Sequence, residues 1–313
     1  MLGRTANDLF WMARYIERAE NIARLLEVGH RLTLLPQDAG RSEWRSTLRS
    51  AGCEAGYLAR HRDIDTSSVV DYLLLDRDNP SSVQSCLATA RRNARAQRTA
   101  LTRDMWEALN GAWIAFPETA ARAIDAGALS DLFDWIRDRS ALFRGALLNT
   151  ILRNDTFWFT QLGTFLERVD NTARILEDKY HVLLPENELV GGGVDSAQWA
   201  AILRSVSAHR SFRWVYRDAF KPWHIADFLI LNPQMPRSLR SCYGEIATAL
   251  GGLAASYGSP SPCLTMAEAT MGRLTAGEMS RIMQAGLHDF LQDIIAANSR
   301  LASEIADTYH FTG

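Results

Sequence analysis

Lysine is almost missing from this chain. Of its 34 basic residues only Lys179 and Lys221 are lysines, and the other 32 are arginines. Genomic base composition accounts for most of that bias, but arginine brings planar, bidentate pairing with carboxylates and phosphates. An excess of one charge is also lacking. The 34 basic and 36 acidic residues leave a net charge of -2, which argues against wholesale phosphate binding and permits a local basic patch. Cysteine is scarce: Cys53, Cys86, Cys242 and Cys263 include no CxxC pair and read as buried small hydrophobes in a reducing compartment. No run approaches 18 uncharged apolar residues, which excludes a membrane-spanning helix. The start, MLGRTANDLF, has no apolar segment of the secretory kind, so a cytoplasmic location is expected. With 313 residues and 47% hydrophobic composition, the chain can bury a substantial core without staples, and disorder is excluded.

Signatures of chemistry are missing as well. Gly191-Gly192-Gly193 has no following Lys-Ser/Thr and reads as a flexible linker rather than a phosphate loop. There is no HExxH and no GxSxG. The seven histidines are scattered, and Glu27-x-x-His30 supplies one quarter of a di-iron site whose second copy has Tyr180 in place of the histidine. No metal and no cofactor is therefore expected. Cys86 and Cys242 occupy equivalent positions beside apolar residues with no base nearby, which favours packing over nucleophilic chemistry.

What the chain does have is self-similarity. YIERAENIARLLE (15–27) recurs as FLERVDNTARILE (165–177), an offset of 150. Glu17, Arg18, Asn21, Ala23, Arg24, Leu26 and Glu27 return as identities, and Glu20 returns as Asp170. Upstream, Asn7-Asp8-Leu9-Phe10-Trp11 resembles Asn154-Asp155-Thr156-Phe157-Trp158. Downstream, Leu34-Leu35-Pro36 matches Leu183-Leu184-Pro185, and Trp44, Leu48, Arg49 and Ser50 match Trp199, Leu203, Arg204 and Ser205. DYLLLDRDNPSSVQSC (71–86) then aligns with DFLILNPQMPRSLRSC (227–242), and a weaker echo joins the segments beginning at Leu129 and Leu287. Ordered blocks at nearly constant offset indicate an internal duplication. The expected repeats are residues 1–153 and 154–313, either as two domains or fused into one bundle.

Both repeats read as helix. Trp11, Met12, Tyr15, Ala19, Ile22, Ala23 and Leu26 fall on one side of a helical wheel. Long helical patterns cover about 81–110, 130–152, 236–257 and 276–308. Pro80 and Pro236 look like first helical residues, with Asn79 as a candidate cap. VVDYLLL and ADFLILN are short enough for strands, but buried short helices suit their surroundings better. The expected fold is an all-α, internally duplicated antiparallel bundle of about ten to twelve helices.

Opposite the apolar face, Arg14, Glu17, Arg18, Glu20, Asn21 and Arg24 form one polar arc, repeated by Glu167, Arg168, Asp170, Asn171 and Arg174. Glu20–Arg24 and Asp170–Arg174 have the favourable i,i+4 order. Glu17 and Arg18 are sequence neighbours and do not face each other, so their partners lie on another helix, on the other copy or on a ligand. A solvated face needs charge but not these identities twice over. A constrained polar network between helices is therefore favoured, with a ligand- or partner-binding site next. A buried network tolerates no unsatisfied member, which explains strict identity without catalysis. Separately, ARRNARAQR puts Arg91, Arg95 and Arg98 on one helical face with Arg92 nearby, while the equivalent ATALGGLAA is neutral. A solvated face is the ordinary explanation, and docking to an acidic partner or anionic substrate is the functional one. Nucleic acid is not expected, because no stacking motif or groove-reading element accompanies the arginines.

YIERAEN and FLERVDN resemble the defining Glu-Arg motif of the bacterial alpha-E domain family, and FLILNPQMPRSLRSC and YLLLDRDNPSSVQSC resemble that family too. The resemblance implies an all-helical fold. It also implies a partner, a circularly permuted ATP-grasp protein, with a transglutaminase-like peptidase in the same system, and a role in peptide synthesis or peptide tagging. Glu17-Arg18 and Glu167-Arg168 carry the motif, and the family assigns them no catalytic role. Three readings follow. The favoured one is a non-catalytic binding or scaffold subunit of an ATP-grasp-type ligase. The second is an enzyme on peptide or amino-acyl intermediates, with Glu17 or Glu167 as acid–base group. The third is a purely structural or oligomerising protein. Burial and mutual pairing of both motifs would remove the second reading, and an open concave site would weaken the third.

Overall fold

A computed structural model describes residues 1–33, 40–182, 193–217, 221–258 and 261–311. Among them there are fifteen helices and no strand. In chain order these are α1 (Gly3–Thr33), α2 (Gly40–Ser50), α3 (Glu54–Leu58), α4 (Thr66–Leu74), α5 (Val83–Ala96), α6 (Arg103–Asp125) and α7 (Leu129–Thr150). They continue as α8 (Asp155–Val182), α9 (Gly193–Ser205), α10 (His209–Tyr216), α11 (Pro222–Ile230), α12 (Leu239–Tyr257), α13 (Pro262–Thr275), α14 (Met279–Ala285) and α15 (Leu287–Thr308). The fold is all-α. The helix number exceeds ten to twelve because short pieces such as α3 and α14 form separate turns.

The two long motif helices, α1 and α8, pack against each other at the centre. Gly163 permits this. A Cβ there would stand 2.1 Å from the Phe10 carbonyl oxygen and 3.1 Å from the Ala13 Cβ, so only a residue without a side chain fits the crossing. Around this pair, α5 and α7 lie on α1, while α12 and α15 lie on α8. The lateral helices are anchored alike: Ser140 Oγ donates to the Ile16 carbonyl (3.4 Å), and Asn298 Nδ2 donates to the Leu166 carbonyl (3.0 Å). One apolar core, from Leu9 in α1 through Phe133, Phe159 and Leu250 to Ile305 in α15, holds these elements together.

Two long patterns are interrupted. The 81–110 pattern divides into α5 and α6, because Thr102 caps a new helix by accepting from the Met105 backbone N–H (3.3 Å). Arg98 therefore lies beyond the end of α5 and does not share a helical face with Arg91 and Arg95. The 276–308 pattern breaks at Gly286, whose φ of 108° is incompatible with a continuous helix. Pro80 and Pro236 are not first helical residues. Ser82 and Ser238 are the caps, accepting from the backbone N–H groups of Ser85 (3.1 Å) and Ser241 (3.0 Å). Asn79 instead ties the preceding turn, donating to the Tyr72 carbonyl (2.9 Å) and accepting from the Ser81 N–H (3.0 Å). VVDYLLL and ADFLILN lie in the regions of α4 and α11, as helices. Leu34-Leu35-Pro36, Leu183-Leu184-Pro185 and Gly191-Gly192 lie outside the described residues.

Candidate functional site: a reciprocal glutamate–arginine network

α1 and α8 pack side by side and run in the same direction, with Phe10 against Gly163 and Glu17 against Arg168; this brings the two motifs face to face, and each glutamate pairs with the other copy's arginine. Arg168 Nε and Nη2 donate to the two oxygens of Glu17 (2.9 Å each). Arg18 Nε and Nη2 donate to the two oxygens of Glu167 (2.6 and 3.0 Å). These are bidentate fork-to-fork pairs, the geometry that arginine supports and lysine does not. The partners of Glu17 and Arg18 are thus on the other copy.

Further arginines close each pair. Arg14 Nε reaches Glu167 (2.8 Å). Arg237, from the loop before α12, donates to Glu17 (2.8 Å), Glu20 (2.7 Å) and Asn21 (3.2 Å). Arg144 on α7 donates to Glu17 (3.3 Å) and to Glu20. The i,i+4 pairs form as expected, Arg24 to Glu20 (2.6 Å) and Arg174 to Asp170 (2.7 Å). Arg24 also donates to Ser207 Oγ (2.5 Å). All eleven residues of the expected network are therefore placed, but Asn171 makes no hydrogen bond among the described residues and joins it only by position. The sequence reading missed Arg144 and Arg237. By the offsets of the duplication their counterparts are Ala302 and Ser81, so repetition carried no signal for either.

Glu17, Glu20 and Glu167 are 1%, 0% and 2% exposed, so this is no solvated face. Burial by itself pushes the Glu17 carboxyl up, yet the guanidiniums of Arg168, Arg237 and Arg144 outweigh it and hold the group well below the usual carboxylate range. Burial and the neighbouring Glu17 charge oppose ionisation of Glu20, and Arg237, Arg144 and Arg24 again bring it down. Glu167 is likewise lowered against burial by Arg18 and Arg14. Burial disfavours the charged forms of Arg18 and Arg168, but their partner carboxylates raise both. Arg237 goes the other way: burial and the nearby Arg168 and Arg24 charges lower it despite its two carboxylates. All three glutamates are thus held as ionised acceptors. An ionised carboxylate with its oxygens on guanidiniums has no proton to donate and little basicity, and these are enclosed between helices. The arrangement fixes α1 against α8 and suits neither general acid nor general base.

The other candidates separate from this centre. Cys86 and Cys242 are buried and free, and burial pushes both thiols up to about 12 despite the neighbouring Arg18 and Arg168. They are protonated packing groups, not nucleophiles. Glu27 pairs with Arg31 and Arg137, and His30 packs edge-on to Phe133 (6.4 Å between ring centroids). Among the described residues no group of three or more His, Cys, Asp or Glu side chains could hold a metal, and no helix is long and apolar enough to cross a membrane. In the basic segment, Arg91 donates to Asn110 (2.8 Å) and lies over the Trp106 ring with Arg98 (6.0 and 5.4 Å). Arg92 and Arg95 are exposed. One exposed aromatic is new: Trp214 on α10 is 82% exposed where the first repeat has Ala59, beside Val215 at the rim of an open hollow floored by Phe228, Met235 and Pro236.

Comparison with known proteins supports this picture in outline. No solved structure matches the chain. An uncharacterized protein of Mycobacterium bovis is 33% identical over 120 residues, covering 34% of this chain and 14% of the relative. An uncharacterized protein of Mycobacterium tuberculosis is 32% identical over 120 residues, with the same coverage. The match thus spans only a small part of those longer relatives. A family model described as a predicted alpha-helical domain with a conserved ER motif matches residues 1–310, and the ER dipeptides of this chain, Glu17-Arg18 and Glu167-Arg168, are the residues that lock its two central helices together; the chain belongs to the Alpha-E family.

Proposed function

We propose that this protein is a non-catalytic helical binding or scaffold partner of an ATP-grasp-type ligase in a peptide-synthesis or peptide-tagging system. The observation that carries this reading is the reciprocal burial of the two Glu-Arg motifs. The chain's most distinctive chemistry is spent on holding α1 to α8, so its contribution to a reaction lies in the surfaces it presents. The resemblance to proteins encoded beside circularly permuted ATP-grasp enzymes supplies the partner. A cytoplasmic setting accompanies such a partner, because ATP-dependent ligation draws on the cytoplasmic nucleotide pool. Exposed Trp214 supports a docking role, since a large aromatic left in solvent is the kind of side chain that anchors interfaces.

The test is co-expression with the ATP-grasp protein encoded nearest this chain, affinity purification through one partner, and ATP consumption by the pair. Stable co-purification, ATP turnover that depends on this protein, and weakened association of Trp214→Ala are expected. No association, or ATP-independent activity of this chain alone on peptides, would overturn the reading.

A further inference from the structure

The two copies of the motif do not finish alike. At the first, Glu17 Oε1 accepts from both Arg168 and Arg237 (2.9 and 2.8 Å), and the Arg237 fork bridges Glu17, Glu20 and Asn21. Arg237 stands where the first repeat has Ser81. At the second copy, therefore, no guanidinium arrives from the corresponding loop. Glu167 Oε1 accepts from Arg18 alone (2.6 Å), and Asp170 is held through one oxygen by Arg174 (2.7 Å). Asn171, more than nine-tenths buried, makes no hydrogen bond among the described residues, so its Oδ1 lacks the guanidinium donor that Asn21 Oδ1 receives from Arg237, while the Nδ2 groups of both asparagines are alike in having no partner.

Ser81 lies at this second copy. The Cys86 thiol donates to the Ser81 carbonyl (3.5 Å) and lies in the fields of Arg18 and Glu167, and a Cβ at Gly52, beside Cys53, would stand 3.9 Å from the Arg174 guanidinium. This position is also the more open of the two: the Asp170 side chain is 20% exposed against 0% for Glu20. The fixed charges match. Two carboxylates and three guanidiniums already surround Arg237, and two carboxylates and three guanidiniums surround the Ser81 position. A further cation meets a field there that the first copy accommodates, at lower desolvation cost because the position reaches solvent.

We infer that the second motif is a binding seat for a guanidinium group, the side chain of an arginine-bearing peptide, which takes between Glu167, Asp170 and Asn171 the place that Arg237 fills between Glu17, Glu20 and Asn21. A planar fork is specified, rather than an ammonium, because the template bridges two carboxylates and an amide at once. In naming a peptide as the ligand, the inference rests on the peptide-handling role proposed above; the seat itself does not.

The experiment is calorimetric titration of the full chain with capped Ala-Arg-Ala and with its citrulline counterpart, which keeps the shape and removes the charge. The arginine peptide is expected to bind at least about tenfold more tightly, the factor a single lost charge-assisted contact of about 1.4 kcal/mol gives. Ser81→Arg places a tethered guanidinium in the seat and is expected to abolish binding while the protein keeps its helical circular dichroism. Asp170→Asn is expected to weaken binding several-fold, and it carries the same decision should Ser81→Arg fail to fold. Equal binding of the two peptides, binding unaffected by these variants, or no binding at about 10 mM peptide, a free energy of under about 3 kcal/mol, would overturn the seat. Ligase co-purification reports separately: its loss with arginine binding intact removes the partner and leaves the seat, and the converse removes the seat alone.

Discussion

The Glu17 and Glu167 sites are built from the same residue pattern but enclosed to different degrees. Glu17 and Glu20 are sealed by Arg168, Arg144 and Arg237 from three other elements. Glu167 and Asp170 are served mainly by the two motif helices themselves, through Arg14, Arg18 and Arg174. The first site is therefore a junction of the bundle and the second a partly open edge of it. Duplication supplied two equivalent motifs, and unequal neighbours made one structural and left the other able to meet a ligand.

The largest effect that would sharpen this contrast is expected at Arg237. Arg237→Ala removes the one fork that donates to Glu17, Glu20 and Asn21 together and leaves those acceptors buried, and breaking a buried ionic network in this way costs roughly 3–5 kcal/mol. Arg14→Ala at the second site leaves Glu167 with its bidentate Arg18 and should cost clearly less. Urea unfolding of the two variants measures the difference, and equal losses would mean that the sites are energetically alike.

Next in size is the crossing of α1 on α8. Gly163→Ala drives a methyl into the Phe10 backbone, which must retreat, and overpacking of this kind costs roughly 1–3 kcal/mol. Its counterpart Ala13→Gly only loosens a helix and should cost about 1 kcal/mol. Thermal unfolding of the pair ranks them, and a neutral Gly163→Ala would show that the helices do not depend on this close approach.

Acid should act more strongly on the first site. Glu17, Glu20 and Glu167 all have folded-state pKa values below the ordinary 4.5, so their ionisation stabilises the fold above that pH. That contribution is lost as the pH falls from about 4.5 through the lowered values. Glu17, held furthest down by Arg168 and Arg237, contributes most. Glu17→Gln should therefore flatten the fall of stability with acid more than Glu167→Gln does. Unfolding midpoints between pH 6 and pH 3 read this, and an unchanged slope in both would separate the network from acid stability.

The sequence made the frame of this comparison legible and hid the difference. Periodicity and repetition exposed the all-helical fold, the motif helices and the two i,i+4 pairs, because these are local patterns. Reciprocity between Glu17–Arg168 and Arg18–Glu167 was open only as one of three possibilities, since wheel geometry says where a side chain leaves a helix and not what it meets. Arg144 and Arg237 escaped because Ala302 and Ser81 stand opposite them, and a search for repeats is blind where the repeats differ. The break between α5 and α6 did leave a trace, Thr102 followed by Asp104, a cap with an acidic first turn. The apolar pattern running through 81–110 concealed it.

The smallest effect separates Glu20 from its counterpart Asp170. Both form an i,i+4 pair with arginine, at 2.6 and 2.7 Å, so by local geometry they are the same interaction. Asp170 and Arg174 meet water, where such a pair contributes about 0.3–0.5 kcal/mol and salt weakens it. Glu20 is sealed, and Arg237 and Arg144 depend on it as well as Arg24. Asp170→Asn should therefore shift stability by no more than about 0.5 kcal/mol, and raising the salt to about 1 M should erase even that. Glu20→Gln should cost several times as much and retain most of that cost in salt, because the charges it leaves behind are out of reach of screening ions. Denaturation of both variants at low and high salt decides the matter. If the two losses were equal, or both vanished in salt, burial would not be what distinguishes the copies.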